Sequence, residues 1–215
     1  MKTHPSWQLC AAILSISCPA FAQEKAIILK AARMFDGHEM RTPGLVVVSG
    51  ARILGVGPGA PAPAGAQVID FGDATLAPGF IDAHTHLSYM YNADYRQNEL
   101  DNLQKTIPEQ TLRATENLKK TLAAGITTAR DVGSGDFMDI GLRNAAAAGI
   151  IPGPRMLVAV HAIGSTGGHC DSENGFRPDL FGRESGPEDG IINKADEGRR
   201  AVRYNVKYGA DVIKI

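Results

Sequence analysis

The stretch "PGFIDAHTHL", residues 78–87, decides how the rest of the chain is read. A Pro-Gly turn signal opens it, a short apolar run follows, and two histidines one residue apart close it. Side chains two apart in a strand point to the same side, so His84 and His86 project together. Two neutral imidazoles at that spacing can share one divalent ion, and Asp82 adds a third ligand type nearby. The stretch therefore reads as a strand, Phe80 to His86, with chemistry at its C-terminal end.

Working outward, the chain after Pro78 alternates strand and helix. "TIPE" provides a capping box with Pro in the first turn, and Gly125 provides the stop, which predicts a helix over Thr106–Ala124. "ITTARDV" (126–132) reads as the second strand, and an Ala-rich helix precedes Gly149. "RMLVAVHAI" (155–163) reads as the third strand. The segment from Asn193 to Tyr208 reads as an amphipathic helix burying Ala195, Val202 and Val206, and "ADVIKI" (210–215) as a fourth strand. Such alternation predicts α/β architecture with a parallel sheet, doubly wound or closed as a (β/α)₈ barrel. A complete barrel takes about 250 residues. Four such units are expected here, as the N-terminal portion of a longer protein or a truncated product.

Upstream, "AIILKAARMF", "GLVVVSGARILGVG" and "AQVIDFG" are short β-rich runs separated by Gly/Pro clusters, which predicts a small antiparallel β unit over 23–77. "GVGPGAP" lacks the Lys-Ser/Thr ending and following helix of a phosphate loop and reads as a turn. Residues 1–22 have the layout of a secretory signal: Lys2 and His4 lead, an apolar run spans Leu9 to Ile16, and Ala20 and Ala22 fit a cleavage site. That run is too short to cross a bilayer. Export to the periplasm or beyond is expected, with cleavage after Ala22 removing Cys10 and Cys18 and leaving Cys170 without an internal disulfide partner. With 22 Lys+Arg against 23 Asp+Glu, no basic field points to a nucleic-acid partner.

"LAPGFIDAHTHL", "GITTARDVGS", "GPRMLVAVHAI", "STGGHCD" and "YGADVIKI" together resemble the first to fourth strand regions of the amidohydrolase superfamily of metal-dependent hydrolases. Within it they resemble the Xaa-Pro dipeptidase-like and ochratoxinase-like subgroup, related to imidazolonepropionases. The resemblance implies a TIM-type (β/α)₈ barrel, here its N-terminal half, preceded by part of a small β-sandwich. It implies two divalent ions, Zn²⁺ being expected, with His84 and His86 as ligands and Lys214 as the lysine that reacts with CO₂ to give a bridging carbamate. Two further His ligands and a proton-relaying Asp are expected beyond Ile215.

His161, at the end of the third strand, is expected to donate a hydrogen bond to a scissile carbonyl or a substrate carboxylate. His169, in the Gly-rich loop, is a second substrate-contact candidate. The thirty or so residues after the third strand exceed an ordinary connection and suggest a lid or pocket wall. Asp131 is expected to brace neighbouring strands, and Cys170 to be a bystander. The implied activity is hydrolysis of an amide or peptide bond in a dipeptide or N-acyl amino acid, aryl amides of the ochratoxin type included. The alternatives are a cyclic-amide hydrolase, a deaminase of the same fold, or a non-catalytic remnant. The partners expected are a small-molecule substrate and, for the full-length protein, a second copy of itself, with no membrane attachment after signal cleavage.

Overall fold

A computed structural model describes residues 25–215. The proposed signal segment lies outside the described residues. The chain divides into two compact units, the first ending at Pro78 and the second Gly79–Ile215.

The first unit holds two sheets. In one, β1 (Ile27–Ala31) pairs antiparallel with β4 (Gly44–Ser49), and β4 with β5 (Arg52–Val56) across a tight turn. The other contains β2 (Arg33–Phe35), β3 (Met40–Arg41) and β7 (Thr75–Leu76). Met34 and Val47, both essentially inaccessible, lie in its core. The expectation of an antiparallel unit holds only for the hairpins. β6 (Gln67–Asp70) runs parallel to β1, and β7 runs parallel to β2. The Gly/Pro-rich connection after β5 carries the chain back before it re-enters the sheet, so β6 starts from the same end as β1.

The second unit is built on a parallel sheet of order β10-β9-β8, comprising β8 (Phe80–Thr85), β9 (Ile126–Asp131) and β10 (Arg155–Val158). This is a partial barrel sheet without closure. Between β8 and β9 come α1 (Tyr95–Gln104) and α2 (Ile107–Ala123). The start of α2 follows from its sequence, since the Thr106 hydroxyl accepts from the Glu109 N–H at 3.4 Å and Pro108 sits in the first turn. Gly125, with φ +86°, ends the turn that follows. Helix α1 was not expected. Its start depends on the Asp94 carboxylate capping the Arg96 N–H at 3.0 Å.

α3 (Met138–Ala147) follows β9, and α4 (Ala195–Lys207) follows a long loop. Leu118 and Ala114 of α2, Leu142 of α3, Ala129 of β9, and Met156 and Val158 of β10 form the core between helices and sheet. Fully burying a side chain such as Leu118 contributes about 1.5–3 kcal/mol, which fixes α2 and α3 against the back of the strands whose ends carry the candidate site.

Three expectations are corrected. The third strand stops at Val158 rather than running to Ile163, because Val160 adopts φ +65°, a left-handed conformation that a β-branched residue rarely takes. Residues 210–215 are not a strand. They lie along the end of β10 through Asp211 N–H to Val158 O (2.8 Å) and Ile163 N–H to Lys214 O (2.9 Å), too irregularly for a ladder. On α4 the buried face is Ala201 and Asn205, whereas Ala195 and Val206 are exposed and Val202 is only half-buried. The polar Asn205 is buried because its amide donates to the His161 carbonyl at 2.7 Å.

Candidate metal and substrate site

The C-terminal ends of the three strands and the loops after them surround a cavity of about 540 Å³. His86, His161, His169 and Lys214 all line it. His84 is not part of the lining, but its ring centroid lies 5.6 Å from that of His86.

The β8–β9 register explains this pair. Asp82 faces Ala129 and Thr85 faces Asp131, so Ala83 and His84 together oppose Arg130 alone. That extra residue is a bulge of the kind that re-aims side chains next to active sites. Arg130 secures it by donating from Nε to the Ala83 carbonyl at 2.6 Å, and the Asp82 carboxylate accepts from the His84 N–H at 3.1 Å.

His86 lies just past the strand, with Nδ1 2.9 Å from the Gly133 carbonyl. A carbonyl can only accept, so Nδ1 carries the proton and Nε2 keeps its lone pair, the arrangement that orients a metal-ligating imidazole. Gly133 is required there. Its φ is +150°, and a Cβ would meet the Ala162 side chain at 3.1 Å and the His86 ring at 3.5 Å. The residues present thus fit a divalent ion in donor chemistry but supply an incomplete set. Among the described residues no group of three or more His, Cys, Asp or Glu side chains comes together as a metal site.

Lys214 reaches the cavity because Arg143 of α3 holds the segment before it, donating to the Gly209 carbonyl (2.6 Å) and to the Asp211 carboxylate (2.7 Å). Asp211 in turn accepts from the Val158 N–H at 3.1 Å. His161 has its Nδ1 2.7 Å from the Glu188 carbonyl, which makes Nδ1 the protonated nitrogen. In the neutral ring Nε2 is therefore an acceptor, and the expected donation to a substrate oxygen requires a second proton. His169 is exposed on the Gly-rich loop and lines the same cavity.

The loop itself has closed ends. Gly164 bridges Ile191 through Gly164 N–H to Gly190 O (3.0 Å) and Ile192 N–H to Gly164 O (2.8 Å), and beside them the Asn193 amide accepts from the Thr166 backbone N–H (3.3 Å) and donates to the Thr166 hydroxyl (2.8 Å). Its return limb adds two cavity residues that the sequence did not single out, Ser185 and Asp189. The Arg183 fork on Asp189 (2.6 and 2.7 Å) holds that carboxyl below its usual range, so it stays ionised. No periodic pattern marks such loop residues, and only the closed loop ends bring them back. A second cavity of about 380 Å³ shares His86 and Tyr89 with the first and is otherwise lined by α1, α2 and the loop before α1.

Asp131 is wholly buried beneath this floor, and its Oδ2 accepts from the Leu87 N–H at 2.6 Å. Among the described residues its Oδ1 has no hydrogen-bond partner. Burial pushes its pKa from 3.8 to about 6, against the pull of that backbone bond and with Asp139 adding to the rise. The folded state therefore holds this proton more tightly than the unfolded chain. Stability from it is full below the unfolded value, falls as pH rises between the two values, and is gone above the folded one. Urea midpoints measured with chelator present should drop between pH 4 and 7 by the equivalent of about 2 kcal/mol. Asp131→Asn should flatten that drop. An unchanged slope in the variant would assign the pH dependence to other groups.

The sequence profile of the amidohydrolase family matches residues 75–215, from the last strand of the first unit to the end of the chain. The chain belongs to the amidohydrolase family. Among solved amidohydrolase-like structures, a Xaa-Pro dipeptidase with bound methionine in its active site superposes with a TM-score of 0.74 at 29% identity, covering 88% of this chain and 46% of that one. The ochratoxinase of A. niger superposes at 0.70 with 26% identity, covering 89% and 46%. The imidazolonepropionase of Arthrobacter sp. (strain FB24) is 40% identical over 52 residues, 24% of this chain and 13% of the relative. This amidohydrolase chain thus spans about half the length of the solved structures it matches.

Proposed function

We propose that the whole protein hydrolyses an amide or peptide bond, with dipeptides or N-acyl amino acids as the substrate class, through a centre of two divalent ions, Zn²⁺ by preference. The observation that carries this reading is the single cavity containing His86, His161, His169 and Lys214. His84 and His86 would hold metal through ring nitrogens, and Lys214, as a CO₂-derived carbamate, would supply the carboxylate. Ions so held polarise a carbonyl and activate water at neutral pH.

The chain's own residues do the rest. Gly133 fixes which His86 nitrogen faces outward, and the bulge at Ala83–His84 keeps the second imidazole beside the first. Arg143 and Asp211 hold the Lys214 segment against β10. His161 and His169 contact the substrate from the same cavity, and the loop with its tied ends forms part of the cavity wall. The similarity to a dipeptidase and an ochratoxinase supports an acyl–nitrogen bond as the target. The N-terminal signal pattern supports export.

The test is a panel on the complete gene product, supplied with Zn²⁺ and bicarbonate. N-acyl amino acids and dipeptides should release free amino acid. Turnover confined to imidazolones, or ammonia released from aminated heterocycles, would overturn this assignment in favour of a cyclic-amide hydrolase or a deaminase.

A further inference from the structure

We infer that the loop spanning 164–193 sets the tautomer and seating of the His161 ring, and that Glu188 and Arg200 are positioning residues for it. The functional weight of this inference rests on the reading above, in which His161 meets substrate.

Four contacts hold the imidazole and its backbone. The Glu188 carbonyl takes the Nδ1 proton at 2.7 Å. The buried Asn205 amide donates to the His161 carbonyl at 2.7 Å. The Tyr204 ring lies nearly parallel to the imidazole, with centroids 6.3 Å apart and 16° between planes. The Phe137 ring packs beside it at 5.5 Å. Just before it, the left-handed Val160 is held by the Asp139 carboxylate on its N–H (2.9 Å) and by the Ser134 N–H on its carbonyl (2.7 Å).

Glu188 belongs to the loop, on a 3-10 turn at Pro187–Asp189, and its own carboxylate is bound by the Arg200 guanidinium of α4. Gly190, with φ +87°, allows this turn to lie close. A Cβ there would fall 2.3 Å from the Ala162 carbonyl oxygen. Arg200, Tyr204 and Asn205 all come from α4, so one helix holds both the loop's return limb and the residue that limb orients.

An unrestrained histidine favours the proton on Nε2, so the Glu188 carbonyl reverses the preference and turns the lone pair toward the cavity. A neutral His161 then accepts from a substrate N–H. If the turn moves away, the ring reverts to a donor on the wrong nitrogen.

Two-bond ¹H–¹⁵N spectra of histidine-labelled protein at pH 8, assigned with His161→Gln, read this directly. Wild type should show a protonated Nδ1 and a bare Nε2 at His161. Arg200→Gln and Glu188→Gln, which leave the backbone carbonyl in place, should each shift the ring toward the Nε2-protonated form. Arg200→Lys should retain the wild-type pattern. Arg200 is largely exposed, so these changes leave the core intact. A wild-type His161 protonated on Nε2, or both Gln variants with an unaltered pattern, would refute the inference.

In the complete enzyme the same Gln variants should raise KM by up to about fivefold, the scale of an exposed ion pair. A tautomer shift with KM and kcat both unchanged would leave the positioning role standing and remove His161 from the substrate-contact reading.

Discussion

His86→Ala is expected to lower divalent-metal affinity by about 100-fold or more, a loss at least as large as those produced by removing the partners that orient a ligand. The reason lies in how this imidazole is held. Its Nδ1–H is committed to the Gly133 carbonyl, so its Nε2 is pre-set as a donor and the chain need not order a free side chain on binding. Among the described residues no hydrogen bond holds the ring of His84, which sits on the bulge. His84→Ala should therefore lose less than His86→Ala. Metal content after dialysis against graded chelator checks both. An alanine at 86 that keeps wild-type occupancy would remove this pair from the proposed centre.

The second large effect is on stability. Asp139 is completely buried, and burial raises its pKa. Its two oxygens take the N–H groups of Ile140 (2.8 Å) and Val160 (2.9 Å). Asp139→Ala leaves the buried Val160 N–H without an acceptor, at about 1–3 kcal/mol, strips the half-buried Ile140 N–H of its partner at a smaller cost, and frees the strained Val160 backbone. A loss of about 2–5 kcal/mol is expected in urea unfolding. Asp139→Asn, which keeps one acceptor oxygen, should recover part of it. Equal losses in the two variants would show that the carboxylate's bonds are not what holds Val160.

What was legible in the sequence follows from the range of the forces involved. Helix α2 could be read because its start and stop are local, a Thr hydroxyl three residues from the N–H it caps and a glycine that tolerates positive φ. Strands β8 and β9 could be read from β-branched and apolar runs between turn signals. His84 and His86 stood out because two imidazoles at strand spacing suggest one chemistry. The early end of β10 could not be read, since nothing in "RMLVAVHAI" announces that Val160 is held by an aspartate 21 residues earlier. The buried face of α4 was misjudged for the same reason: apolar periodicity pointed to Val202 and Val206, while the face was decided by Asn205 meeting a carbonyl 44 residues away. Asp189 and Ser185 join the cavity only because the two ends of their loop meet.

The meeting of those ends at Gly164 and Ile191 has a consequence for how such a site can diversify. A chain excursion whose feet are tied together transmits little of its own length to its surroundings, and doubling such an excursion adds only about 0.6 kcal/mol of closure entropy. The stretch around Phe176 to Phe181 can therefore be lengthened, shortened or exchanged as a cassette while the histidines beneath keep their places. The length of this stretch can thus change while the cavity floor stays fixed.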